Sequence, residues 1–283
     1  MMENILEVRN LVKKFPGFTL DNINIELPQG VIMGFIGENG AGKTTSIKLI
    51  LDLLSKDSGE IRILGREHTD MDSSLKEQIG VVFDECNLPE NLTVDEIEKI
   101  MTSLFRMWNS QVFSEYITKF DLPMKKAIKD FSRGMKMKLS IAVALSHNPR
   151  LLILDEATSG LDPIMRDELL DVFLEFIQDE SHSIFISSQI ISDLEKVCDY
   201  IAFIHQGKMV FVESKETLRE KYGILKCSLT ELEEISPDTI IGVRKNSFGV
   251  EALVYKNQIP GRMLVDNASI EEIMLYYTKK GLR

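Results

Sequence analysis

Residues 37–44 read Gly37-Glu38-Asn39-Gly40-Ala41-Gly42-Lys43-Thr44, a match to G-x-x-x-x-G-K-T. The flanks decide what this pattern means. Before it, Val31-Ile32-Met33-Gly34-Phe35-Ile36 is almost unbroken apolar sequence, the mark of a strand buried on both faces. After it, Ile47, Leu49, Ile50, Leu51, Leu53 and Leu54 recur at helical spacing, which predicts a helix over 43–54. A glycine-rich turn between a buried strand and a helix is the setting of a phosphate-binding loop. Glycines let backbone N–H groups curl around phosphate oxygens without side-chain clash. The helix start turns its positive end toward the anion. In such a loop Lys43 reaches the β- and γ-phosphates and the Thr44 hydroxyl ligates Mg²⁺. Thr45 joins the candidate contacts in the first helical turn.

Outward from the loop, apolar strands alternate with helical patterns. "ILEVRNLVKKF" and "FTLDNINIEL" flank Pro16-Gly17 and predict an antiparallel hairpin at the N-terminal side. "GEIRIL", "IGVVF", "LLILD" and "SIFIS" read as further strands, and "YIAFIHQGKMVFV" as a hairpin around Gln206-Gly207. "PIMRDELLDVFLEFIQ" and "IISDLEKVC" read as helices between strands, which implies a largely parallel sheet with right-handed crossovers. From about Leu88 to Leu145 the pattern is mostly helical, opened by Thr93 and Glu96 in capping-box spacing. After about Tyr222 short strands and one final amphipathic pattern, "NASIEEIMLYYTKKG", predict a small α+β appendage over 223–283.

A second candidate site lies where "LLILD" ends. Asp155 and Glu156 stand at the end of a buried strand, where a carboxylate is costly unless it is paired or faces a metal. Asp155 suits Mg²⁺. Glu156 suits a base that polarises a water for attack on the γ-phosphate. The plain alternative is a pair of solvated strand-end carboxylates. "SIFIS" also ends in polar residues, Ser187-Ser188-Gln189, at the strand end where open α/β sheets bind their ligands.

Composition narrows the classes. A net charge of −11 argues against a chain that grips nucleic acid through bulk charge, so no nucleic-acid partner is expected. The three cysteines are scattered and lack CxxC spacing, which reads as reduced thiols. The four histidines make no metal-ligand spacing with one another. No apolar run reaches the roughly 18 residues of a membrane span, and "MMENILEVRN" lacks a signal-peptide core. Any membrane link is expected to run through a partner.

Two more stretches complete the pattern: "KDFSRGMKMKLSIAVAL", with Ser132, Arg133 and Gly134 before a helix, and "DEATSGLDP" after the acidic strand end. Together with the loop, the chain from Met1 to about Leu218 resembles the ATP-binding subunit of ABC transporters. "FSRGM" resembles the family signature LSGGQ: Ser132 and Gly134 match, while Phe131, Arg133 and Met135 depart. The resemblance implies that Ser132 and Gly134 face the γ-phosphate of ATP held by the opposite subunit, and that Ser159-Gly160-Leu161-Asp162 lies along the dimer seam. It also puts Phe15 in the place of the ring that stacks on adenine, with Phe18 as a competitor. Two positions differ from the family. Asp84 stands where a Mg²⁺-contacting glutamine is usual, and Gln189 stands where the switch histidine is usual.

The fold class that follows is α/β: a P-loop NTPase core with a mainly parallel sheet, an N-terminal antiparallel β edge, a helical subdomain over about 88–145 and the C-terminal α+β appendage. The ATPase domain is placed at 1–222. By resemblance, ATP and Mg²⁺ are the cofactors, the catalytic residues are Lys43, Glu156 and Gln189, and the metal contacts are Thr44, Asp84 and Asp155. The partners implied are membrane permease subunits and a second ATPase subunit, in a homodimer or heterodimer. The location implied is cytoplasmic, peripheral on the inner face of the cell membrane. The signature variant and the tail look like drug, antibiotic-peptide or bacteriocin exporters. Two other readings stand beside this one: a slow or regulatory ATP-binding subunit, motivated by Asp84 and Gln189, and a soluble family member in translation or DNA repair.

Overall fold

Asn4–Phe15 (β1) and Phe18–Pro28 (β2) pair as an antiparallel hairpin across Pro16-Gly17. This hairpin starts a computed structural model that describes residues 3–70, 72–246, 249–261 and 263–279. Ile32–Ile36 (β3) leads into the glycine loop and Lys43–Ile50 (α1). Ser58–Ile63 (β4), Arg66–Glu67 (β5), Ser73–Lys76 (α2) and Ile79–Val82 (β6) follow. Val94–Leu104 (α3), Ser110–Lys119 (α4) and Arg133–Leu145 (α5) make the helical insert. The chain returns through Leu151–Asp155 (β7), Pro163–Phe176 (α6), Ser183–Ser187 (β8), Ile191–Val197 (α7), Tyr200–His205 (β9) and Lys208–Ser214 (β10). It ends with Lys215–Lys221 (α8), Tyr222–Cys227 (β11), Leu229–Glu233 (α9), Ile240–Asn246 (β12), Gly249–Tyr255 (β13), Val265–Asn267 (β14) and Ile270–Lys279 (α10).

The central sheet has the order β10-β9-β3-β8-β7-β6. Strands β9, β3, β8, β7 and β6 run parallel, and β10 closes one edge antiparallel to β9. All five residues of β3, β7 and β8 are buried, which explains the apolar runs they carry, up to the polar ends of β7 and β8. Successive residues still serve different layers, because side chains alternate across a strand. Met33, Phe35, Leu151, Ile153 and Phe185 face the N-terminal sheet (order β2-β1-β4-β5) and α1. Ile32, Ile36, Leu152, Leu154, Ile184 and Ile186 face the helices on the other side.

The helical insert begins where Thr93 accepts from Glu96 N while the Glu96 carboxylate accepts from Thr93 N. These reciprocal bonds satisfy donors the first turn would leave free. The helix after the glycine loop is shorter than its apolar spacing predicts. It ends at Ile50, Asp52 turns into the left-handed region at φ 56°, and Leu53 is 59% exposed. Leu53 therefore does not join the buried face.

The C-terminal strands form their own antiparallel sheet, β12-β13-β11-β14, which Tyr222 opens. One face carries a small core of Leu225, Ile235, Ala252 and Val254. On the other side α10 packs back on the main body: Ile270 and Ile273 share the large core with Ile191, Leu194 and Val197 of α7. Lys280 and Gly281, the end of the stretch read as an amphipathic tail, lie outside the described residues. Among the described residues no helix is long and apolar enough to cross a membrane.

Candidate nucleotide site

The glycine loop leaves the carboxyl end of β3 in the middle of the parallel sheet. Its shape depends on missing side chains. A Cβ on Gly37 would lie 2.5 Å from the Ile204 carbonyl oxygen, and one on Gly42 would lie 2.4 Å from Leu20 Cδ2. Gly42 also has φ 113°, a conformation that L side chains rarely adopt. The loop is tied down by Ala41 N–H to Glu38 O at 3.1 Å and by Gly207 N–H to Ala41 O at 3.0 Å. Thus the β9–β10 turn braces the loop from beside it. The start of α1 has no side-chain cap, so its first N–H groups are free for an anion.

Lys43 is buried at 6% exposure. Its Nζ donates to Gly37 O at 2.8 Å and stands 3.3 Å from Glu156 Oε1. The lysine thus folds back over its own loop and meets a carboxylate from a strand two positions away in the sheet. Thr44 is exposed and Thr45 half-buried. Glu38, Asn39 and Gly40 are exposed at the loop's crest, and Ala41 is buried beneath it.

Asp155 ends β7 directly opposite Ser187 of β8 in the parallel register. The Ser187 hydroxyl donates to Asp155 Oδ1 at 2.6 Å and accepts from Glu156 N at 3.1 Å. Glu156 is 8% exposed and adopts φ 53°. For a non-glycine residue that backbone is strained, and such strain persists only where the surroundings impose it. Its Oε2 accepts from Gln189 N at 3.2 Å. Its Oε1, although close to Lys43, is buried without a hydrogen bond. The distance gives electrostatic attraction, but the alignment leaves the oxygen's lone pairs unused.

Lys43, Asp155, Glu156, Ser187 and the Gln189 backbone are therefore joined in one bonded cluster at adjacent strand ends. The side chain of Gln189 is exposed. The cluster fits a Mg²⁺-nucleotide: a loop whose shape excludes a Cβ at Gly37 and Gly42, an uncapped helix start, a buried carboxylate whose hard oxygens suit Mg²⁺, and an orphaned carboxylate oxygen beside the lysine.

Other predicted residues stand apart from this cluster. Asp84 lies two residues past β6 and is exposed. With Glu85, Cys86, Glu90, Arg133 and Lys136 it lines a cleft of about 520 Å³ at the start of α5. Ser132 caps α5, accepting from Met135 N at 3.2 Å. Gly134 is buried against Met165, which a Cβ would meet at 2.2 Å. Phe15 is 37% exposed, with its ring centroid 6.5 Å from that of Phe18. Phe18 packs under the loop, 3.1 Å from where a Gly42 Cβ would be, which leaves Phe15 the more open ring.

The sequence shows Ser187 at a polar strand end and Arg133 in the signature, but not the contact that either makes. Ser187 is the residue that engages Asp155, and its polar character at a buried strand end was the available signal. Arg133, read only as a departure from the signature, lies over Gly160, where a Cβ would be 2.8 Å from Nη1. It thereby packs the signature against the Ser159–Asp162 turn, a contact that spacing along the chain does not reveal.

This is the fold and strand-end site of a P-loop nucleotide-binding protein. The sequence matches the ABC transporter family over residues 20–159. It is 38% identical over 225 residues to the lantibiotic transport ATP-binding protein SrtF of Streptococcus pyogenes, covering 77% of this chain and 96% of that protein. It is 36% identical over 212 residues to the bacitracin transport ATP-binding protein BcrA of Bacillus licheniformis, covering 74% and 69%. Among solved structures, an ATP binding subunit of an ABC transporter superposes with a TM-score of 0.69 at 26% identity, over 76% of this chain and 92% of that one. The chain belongs to the ABC transporter ATP-binding family, and that membership implies ATPase activity.

Proposed function

We propose that this chain is the ATP-hydrolysing subunit of an exporter whose cargo is an antimicrobial peptide or a similar amphipathic compound. The observation that carries the chemistry is the approach of Lys43 Nζ to Glu156 Oε1, 3.3 Å, at the open end of the sheet. The cargo class comes from the relatives named for lantibiotic and bacitracin transport.

In this reading the loop N–H groups from Gly37 to Thr44, with Thr45, hold the phosphate chain, and Phe15 stacks on the base. Incoming phosphate draws Lys43 away from Glu156. The freed carboxylate then accepts a proton from water as the water oxygen bonds to the γ-phosphorus; the bond to the bridging oxygen breaks, and ADP leaves with that electron pair. Ser187 orients Asp155 by donating to it. The Gln189 amide donates to the γ-phosphate. Mg²⁺ held by Thr44 and Asp155 would neutralise charge on the phosphate oxygens; Asp84, which lines a separate cleft, would have to move to join them.

Ser132 and Gly134 lie on another element and complete the phosphate site of a second subunit, so the working unit is a homodimer or heterodimer. The ATPase domain spans 1–222, with 223–283 as its appendage. The protein sits in the cytoplasm, on the inner membrane face, held by permease subunits. Co-purification of the full chain with an integral membrane protein, and ATP turnover by that complex, tests the assignment. Retention on ribosomes or DNA instead would support a soluble role.

A second reading rests on Gln189. An amide cannot become cationic as histidine does, and its side chain is exposed. The chain would then be a slow or regulatory subunit paired with a faster one.

A further inference from the structure

Helix α7 begins two residues after Gln189 and ends at Val197. It is the only element between that glutamine and the β9 strand. Its seating therefore bears on where Gln189 points, together with the Glu156 carboxylate that accepts from Gln189 N at 3.2 Å. On the α6 side its polar anchors are weak. Arg166 Nη1 is 3.5 Å from Asp193 Oδ1, and Arg166 Nε and Asp193 Oδ2 are buried without partners. Lys196 and Asp167 pair at 2.7 Å but both are exposed, where such pairs contribute little.

The firmer hold comes from the C-terminal part of the chain. Ile270 N–H, in the first turn of α10, donates to Glu195 Oε1 at 2.5 Å. Lys215 Nζ, at the start of α8, donates to Glu195 O at 2.9 Å. Two other donors at this end of α10 are served locally: Ser269 N–H by Glu272 Oε2 at 2.8 Å, and Glu272 N–H by Ser269 Oγ at 3.1 Å. The Ile270 donor is given to α7. Ile270 and Ile273 add apolar cover over Ile191 and Leu194. Further along α10, Tyr277 hydrogen-bonds Tyr222 at 2.9 Å and packs edge-on against Phe203 and Phe211. The helix thus rests on both α7 and the β9–β10 hairpin that braces the glycine loop.

We infer that Glu195 is a positioning residue for ATP hydrolysis: it passes the docking of α10 through one helix, α7, to Gln189. The C-terminal layer then sets the rate of turnover without touching nucleotide. This inference rests on the ATPase reading above.

The test measures kcat and nucleotide affinity in the purified full chain. Glu195→Ala should lower kcat about three- to tenfold, with ATP affinity within about twofold of wild type. Glu195→Gln keeps an acceptor oxygen for Ile270 N–H and should restore kcat. In a Gln189→Ala background, Glu195→Ala should cause no further loss, because the two act in series. If Glu195→Ala melts below the assay temperature, Glu195→Asp, which keeps the charge but shortens the reach, is read the same way. Unchanged kcat in the Glu195 variant, or an equal loss in both backgrounds, overturns the inference while leaving the ATPase reading intact. A wild-type chain that binds ATP without turnover overturns both.

Discussion

Ser187 Oγ donates to Asp155 Oδ1 at 2.6 Å across the β7–β8 pair, and neither side chain reaches solvent. A hydrogen bond to a buried charge contributes about 1.5–3 kcal/mol. Ser187→Ala should therefore lower the melting temperature by roughly 3–10 °C, and it should slow turnover because Asp155 loses its fixed orientation. Ser188→Ala removes only the hydroxyl that accepts from Ile190 N and should change either quantity far less. Thermal melts and ATPase assays of the two variants make the comparison.

The glycine loop tolerates a methyl group unevenly. Gly37→Ala puts a Cβ against a backbone oxygen that cannot yield, and should cost about 1–3 kcal/mol together with most nucleotide binding. Gly40 has open space around its missing side chain and only its φ of 78° to oppose substitution, so Gly40→Ala should cost about 1 kcal/mol. Denaturant unfolding of both variants orders them.

Two buried histidines predict a pH dependence. Burial lowers the pKa of His147, whose ring stacks on Phe105 at 4.2 Å, and burial also lowers that of His68. Each folded-state pKa is depressed, so the unfolded chain binds more protons below the ordinary histidine value of about 6.5. Stability should then be full above that value and fall as pH drops below it, by at most about 1.4 kcal/mol per pH unit for each histidine. Urea unfolding at pH 7.5 and 5.5 measures this. His147→Gln should reduce the difference.

The elements that carry the loop were readable because local rules agree there: an apolar run, glycines, then helical spacing. The same holds for Thr93 with Glu96 and for Ser132 as a helix cap, since both bonds span three residues. What stayed hidden depends on register and on distant packing. Ser187 meets Asp155 only because β7 and β8 pair in one register. Glu195 and Ile270 are 75 positions apart. The contact of Arg133 with Gly160 joins the first residue of α5 to the turn before α6. The over-long helix reading failed for a related reason. Leu51, Leu53 and Leu54 keep apolar character, but a left-handed Asp52 turns the chain before Leu53 can reach the core.

Gln189 is one of the positions where the sequence departs from the family pattern it resembles. Its backbone is fixed by Glu156, yet its side chain is open. Gln189→His should raise kcat about three- to tenfold, since an imidazolium stabilises developing phosphate charge more than a neutral amide, which offers a hydrogen bond but no charge. A steady-state assay near neutral pH decides, and an equal or lower rate would count against a transition-state role for this position.

The most direct measurement is Mg²⁺-dependent ATP turnover by the purified chain, wild type beside Glu156→Gln, with nucleotide binding measured in parallel. The carboxamide is close to isosteric but cannot take a proton from water. Wild type should hydrolyse ATP, and the variant should bind it as tightly while losing at least about a hundredfold in kcat. Equal turnover in the two proteins would contradict the assignment of hydrolysis to the Lys43–Glu156 site.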